Sequence, residues 1–155
     1  VLLAATPRFV RGAQWECGSD AAVLDYFARG LAHDYRATLQ RFLTLQARGD
    51  AHPRIALRRL REHILARGEP DVAALGAGLR LLKETDLRDR LERITQPALI
   101  LHGERDTLVP LAAAEYLRRV LPHATLEVFA GTGHAPFIAQ PQRTARRITE
   151  FCRES

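Results

Sequence analysis

An α/β fold is predicted by three features of the sequence: a continuous apolar run at Val1 to Ala5, a second at Ala98 to Leu101 behind Pro97, and helical periodicity between and after them. Short apolar runs closed by turn signals fit strands buried on both faces, as in parallel sheets. The first run ends at Thr6-Pro7. A chain that opens inside a buried strand is expected to have lost its beginning, and to present an unpaired edge prone to aggregation. Arg8 to Asp20 reads as irregular, and helical spacing follows as far as Thr85. Leu24, Phe27 and Leu31 mark a first helix, and Leu39, Phe42, Leu43 and Leu45 a second. A third starts at Pro53, a residue suited to a first helical turn, and carries Ile55, Leu57, Leu60, Ile64 and Leu65. Asp71 is placed to cap a fourth, with Val72, Leu75, Leu79 and Leu82 on its apolar face.

After a connector with Leu87, Leu91 and Ile94, the pattern reverts to alternation. Ala98 to Leu101 is a strand, Leu111 to Leu121 a helix opened by Pro110, Leu126 to Phe129 a strand, and about Pro141 to Cys152 a helix with Ile148 and Phe151 inward. Strand, four helices, strand, helix, strand, helix implies parallel crossovers with a helical block inserted after the first strand. The expected divisions are a core strand over 1–11, a helical subdomain over 12–85 and an α/β part over 86–155.

At 155 residues, 46% hydrophobic and 26% charged, the chain suits one domain with a real core and is wrong for a disordered protein. No apolar run approaches the ~20 residues of a membrane span. The opening VLLAATPRFV lacks the basic leader and long apolar core of a signal peptide, so a cytoplasmic protein is expected. Cys17 and Cys152 are far apart with no metal-ligand spacing, which argues against a disulfide framework or a metal site. Nothing calls for a cofactor. The formal net charge of +5 is almost wholly arginine, because Lys83 is the only lysine.

Two segments carry chemistry: PALILHGERD, Pro97 to Asp106, and GTGHAPF, Gly131 to Phe137. Each is a strand followed by a glycine-containing loop, and loops beyond the carboxyl ends of parallel strands are where such sheets place functional groups. Asp106 and His134 would then share one edge. A carboxylate that accepts from one imidazole nitrogen fixes the tautomer and leaves the other nitrogen to take a proton from a hydroxyl. Gly131 and Gly133 permit a tight turn around the histidine. Singly, an Asp in such a loop is a turn residue more often than a catalyst; the joint pattern, acid then base, favours a pair. Glu104 is a rival acid. The pair calls for an upstream serine on a Gly-x-Ser-x-Gly elbow, and the sequence has no such elbow. Cys17, in WECGSD, follows no strand and lacks the elbow glycines.

PALILHGERDTLVP and GTGHAPFIAQP resemble the C-terminal motifs of the α/β-hydrolase superfamily, in which serine, acid and histidine follow the fifth, seventh and eighth strands. That resemblance implies the C-terminal part of an α/β-hydrolase fold, three parallel strands with flanking helices, carrying an inserted four-helix cap. Its serine would precede Val1. Within the superfamily the chain is most similar to the pimeloyl-acyl-carrier-protein methyl ester esterases of biotin synthesis. RFLTLQARG at Arg41 to Gly49, LGAGLRLLKETDLRDRL at Leu75 to Leu91 and LPHATLEVFAGTGHAPFIAQP at Leu121 to Pro141 carry the similarity, which covers nearly the whole chain.

The resemblance implies a carboxylesterase, monomeric and cofactor-free, with His134 and Asp106 catalytic. It places Phe42, Leu43, Thr44, Leu45 and Gln46 along the acyl pocket beside His134, Phe42 and Leu45 reading equally well as core residues of a lid helix. Arg41, Arg54 and Arg58 would hold the acidic carrier protein; at a further expected arginine position the chain has Ala37, with Arg36 adjacent. The residues add their own argument, since Arg54, Arg58, Arg59 and Arg61 form a dense basic helix able to steer an acidic partner. The alternative is a solvated face paired with Glu62. Nucleic acid is a poorer fit, because Tyr35 is the only obvious aromatic near that face. Other readings are a hydrolase of small esters or enol-lactones with a similar lid, and a truncated, non-catalytic piece.

Overall fold

A computed structural model describes residues 1–66, 68 and 70–154, without the side chain of Leu65. Ser155, the end of the expected third division, lies outside the described residues. The elements are β1 (Leu2–Leu3), α1 (Ala21–His33), α2 (Tyr35–Gln46), α3 (Pro53–Leu65), α4 (Val72–Glu84), a 3-10 turn (Arg88–Arg93), β2 (Ala98–Gly103), α5 (Leu111–Val120), β3 (Ala124–Phe129), α6 (Pro136–Ala139) and α7 (Pro141–Glu154).

Aspartates start three of the four inserted helices by accepting orphan N–H groups of the first turn. Asp20 accepts from Ala22, Asp34 from Ala37, and Asp71 from Ala73 and Ala74. Asp34 also donates its own N–H to Gly30 O, so a single residue ends α1 and starts α2. Pro53 stands in the first turn of α3.

The three strands are parallel in the order β1-β2-β3. Central β2 is buried along its whole length, which is why it reads as a continuous apolar run. Ala98 and Ile100 face Leu91, Ala114, Leu117 and Leu121; Leu99 and Leu101 face Phe129, Ile148 and Phe151. One side is thus covered by α5 and the 3-10 turn, the other by α7.

β1 departs from expectation. It is two residues long, not five, and within these 155 residues Val1 is 50% and Leu3 38% exposed. It sits at the sheet edge with β2 as its only partner strand among the described residues, and Ala4, at φ +46°, turns the chain away. The fourth helix also differs: α4 buries no residue fully, and Leu81 is 66% exposed. Its half-buried Leu75 and Leu79 line a groove with Pro7, Phe9 and Phe42. The irregular stretch after β1 is a packed loop, not a tether. Trp15 is 3% exposed in a cluster with Phe9, Val10, Leu24, Val109 and Ala113, its Nε1–H donating to Arg8 O at 2.9 Å.

The helical block is pinched where the chain enters and leaves it. Arg8 and Arg88 both bind the Asp86 carboxylate at 2.8 Å, and Leu87 N–H donates to Pro7 O. The Arg88 guanidinium, opposed by partial burial and helped by Arg8, lowers the Asp86 carboxyl from 3.8 to about 2. A depressed acid stabilises the fold fully above its unfolded value and loses that contribution as pH falls through its folded one. Asp86→Asn is therefore expected to cost about 1 kcal/mol near neutrality, discounted for solvent exposure. It should also flatten the acid-induced loss of stability between about pH 4 and 2, read from urea midpoints across that range.

Candidate active site

β2 and β3 end side by side, Gly103 opposite Phe129. Their exit loops are joined by backbone bonds: Glu104 N–H donates to Phe129 O at 3.0 Å and Arg105 N–H to Thr132 O at 2.9 Å. The contact leaves no room for a side chain, since a Cβ on Gly103 would lie 2.0 Å from Gly133 O. Gly131 turns at φ +68°, a region open to glycine.

Asp106 Oδ1 accepts from Leu108 N–H at 2.8 Å and Val109 N–H at 2.9 Å, a local turn that fixes the carboxylate. The other oxygen, Oδ2, meets His134 Nδ1 at 2.8 Å. A carboxylate only accepts, so Nδ1 carries the proton and Nε2 of the neutral ring holds a lone pair. The Asp106 side chain is fully buried and that of His134 is 18% exposed. His134 lines a cavity of about 300 Å³ with Phe9, Leu24, Phe27, Phe42, Gln46 and Val109. The arrangement is a base with its lone pair available and its tautomer set from behind, beside an apolar hollow.

Glu104 is not the acid of this pair. Its Oε2 accepts from Gly131 N–H at 2.8 Å, which supports the loop that carries the histidine. From the helical block, Ala51 N–H donates to Gly131 O at 2.8 Å, and Arg59 reaches Ile138 O in α6 at 2.9 Å.

Five consecutive residues of α2 do not all face the His134 cavity. Phe42 and Gln46, one turn apart, line it. Thr44 and Leu45 line a neighbouring hollow with Val23, Tyr26 and Arg41, and Leu43 is buried toward Leu39 and Ile64. The cause is helical rotation, which carries successive side chains to different sides and brings i+4 back closest to i. The basic residues divide too. Arg41 donates to the Tyr26 hydroxyl at 2.8 Å and stacks on its ring. Arg54 is exposed on α3, and Arg58 lies 3.9 Å from Glu62, both well exposed, a pairing of little energetic weight. Cys17 is half-buried against the Phe9, Val10 and Trp15 cluster.

The sequence has two serines, Ser19 and Ser155. Ser19 Oγ–H donates to Leu108 O at 3.0 Å, so it is committed to the acid loop. Sequence reasoning missed His102, which is wholly buried in β2; its one signal was a lone polar residue in an apolar strand.

A family model described as alpha/beta hydrolase fold matches residues 19–141. The chain belongs to the alpha/beta hydrolase fold family. The chain is 45% identical over 150 residues to a pimeloyl-[acyl-carrier protein] methyl ester esterase of Xanthomonas campestris pv. campestris, covering 97% of the chain and 59% of the relative. It is 43% identical over 143 residues to the Nitrosomonas europaea protein of the same name, covering 92% and 57%. The chain thus spans less than two thirds of the length of these relatives. Among solved structures, an esterase from Exiguobacterium antarcticum superposes with a TM-score of 0.83 at 24% identity, over 97% of this chain and 55% of that one. A bromoperoxidase from Bacillus anthracis gives 0.83 at 20% identity, over 95% and 54%. At these identities the likeness shows the fold alone.

Proposed function

We propose that the protein carrying this chain is a carboxylic ester hydrolase working by a serine, histidine and aspartate mechanism. The 2.8 Å bond from His134 Nδ1 to Asp106, with Nε2 unpartnered among the described residues and an apolar hollow beside it, carries the reading. The serine lies outside these 155 residues, in keeping with relatives of which the chain spans 59%. Nε2 takes the hydroxyl proton as the serine oxygen attacks the ester carbonyl, and Asp106 stabilises the imidazolium. That proton then passes to the departing alkoxide, which leaves as the alcohol. Water, deprotonated by the same nitrogen, releases the acid and restores the serine.

The substrate of this proposal is the methyl ester of a pimeloyl chain on acyl carrier protein, supported by the names of relatives 43% to 45% identical. Residues 12–85 act as the cap, with the acyl chain against Phe42 and Gln46. Exposed Arg54 and Arg58, with Arg41 on the neighbouring helix, meet the acidic carrier. The protein acts in the cytoplasm as a monomer. The test is to assay the complete polypeptide on methyl pimeloyl carrier protein and on a short free methyl ester. Arg54→Glu with Arg58→Glu is expected to lower kcat/KM for the carrier substrate by roughly 10- to 100-fold, most at low salt, and to spare the free ester. No turnover of either ester ends the esterase reading; equal effects on both remove the carrier.

A further inference from the structure

His102 is a polar side chain in the apolar interior of β2, and its ring is 0% exposed. Nε2 lies 2.9 Å from Val109 O and 3.4 Å from Asp106 Oδ2. Both neighbours only accept, so Nε2 bears a proton directed between them. Nδ1 has no partner among the described residues, and a second proton there would be buried without an acceptor, at a desolvation cost the neutral ring avoids. Burial is accordingly the leading cause that pushes the imidazole below its ordinary value, against the opposing pull of Val109 O and Asp106. His102 is one neutral tautomer with its donor aimed at the acid loop.

The contacts close a small ring of two hydrogen bonds and the longer 3.4 Å approach of His102 Nε2 to Asp106 Oδ2. Val109 donates its N–H to Asp106 Oδ1 and accepts from His102 through its carbonyl, while Asp106 Oδ2 faces both His102 and His134. Leu108 N–H adds a second donor to Oδ1. Rotation of the carboxylate away from His134 therefore breaks bonds on both of its oxygens. The charged groups of the same loop, Glu104 and Arg105, are 48% and 61% exposed in their side chains and pair with each other.

We propose that His102 is a positioning residue of the hydrolytic site: its Nε2–H ties Val109 O to Asp106 Oδ2 and holds the acid loop where the carboxylate meets His134. The inference rests on the reading of His134 and Asp106 as the reacting pair. In the complete polypeptide, His102→Leu removes the donor, while His102→Gln returns one at a similar reach. The Leu variant is expected to lose roughly 10- to 100-fold in kcat with KM within about twofold. The Gln variant should recover most of that loss. Nitrogen-edited NMR of the wild-type protein should show His102 protonated at Nε2 and bare at Nδ1 near neutral pH. Wild-type kcat in the Leu variant, a Gln variant as slow as Leu, or a doubly protonated His102 near neutral pH overturns the inference. Should the Leu variant fail to fold, the spectrum and the Gln variant decide it. A wild-type protein with no esterase activity fails the reaction reading instead, and the His102 spectrum tells the two failures apart.

Discussion

Asp106→Asn is expected to lower kcat for ester hydrolysis by about 10³- to 10⁴-fold while leaving KM nearly unchanged. The carboxylate contributes by accepting only: Oδ2 at 2.8 Å forces the proton onto His134 Nδ1 and leaves Nε2 bare. Oδ1 is occupied by the N–H groups of Leu108 and Val109, so an asparagine side chain would settle with its oxygen there and its NH₂ toward His134. Nδ1 then becomes the acceptor, the ring proton moves to Nε2, and the base loses the lone pair that receives the hydroxyl proton. His134→Ala removes the base itself and should fall by a similar factor, since members of such a unit are not additive. Steady-state kinetics of both variants and the double variant check this. An Asn variant within tenfold of wild type would mean that another group orients the histidine.

Gly103→Ala is expected to destabilise the protein by about 2–3 kcal/mol and to lower kcat by roughly 100-fold or more. The methyl group would arrive 2.0 Å from Gly133 O and 2.7 Å from Thr132 O. Both are backbone atoms, so no side-chain rotation relieves the overlap and the two exit loops must separate. The acid stands three residues after Gly103 and the histidine one after Gly133, which makes their 2.8 Å contact the first casualty. Urea unfolding with kcat measured on the same preparation distinguishes the two effects. A folded variant with wild-type turnover would show that this gap does not set the distance between acid and base.

Local signals account for what could be read in advance. Asp71, Pro53 and Pro110 act within one turn of their own position, so the helices they precede were legible. β2 was legible because a strand covered on both faces is apolar at every position. In α2, similarity alone marks FLTLQ as one block, and helical geometry then splits it among three surroundings.

The sequence by itself determined the alternation of strands and helices, the order of acid before base, and the glycines that let their loops approach, because periodicity, chain order and residue size are properties of the chain. The tertiary structure alone decided how closely Asp106 meets His134, that Glu104 braces a backbone N–H, and that His102 stands behind Asp106. Those outcomes depend on the register of β2 against β3 and on the turn from Asp106 to Val109. A hydrogen bond is won or lost within about half an ångström, a precision no spacing of letters contains.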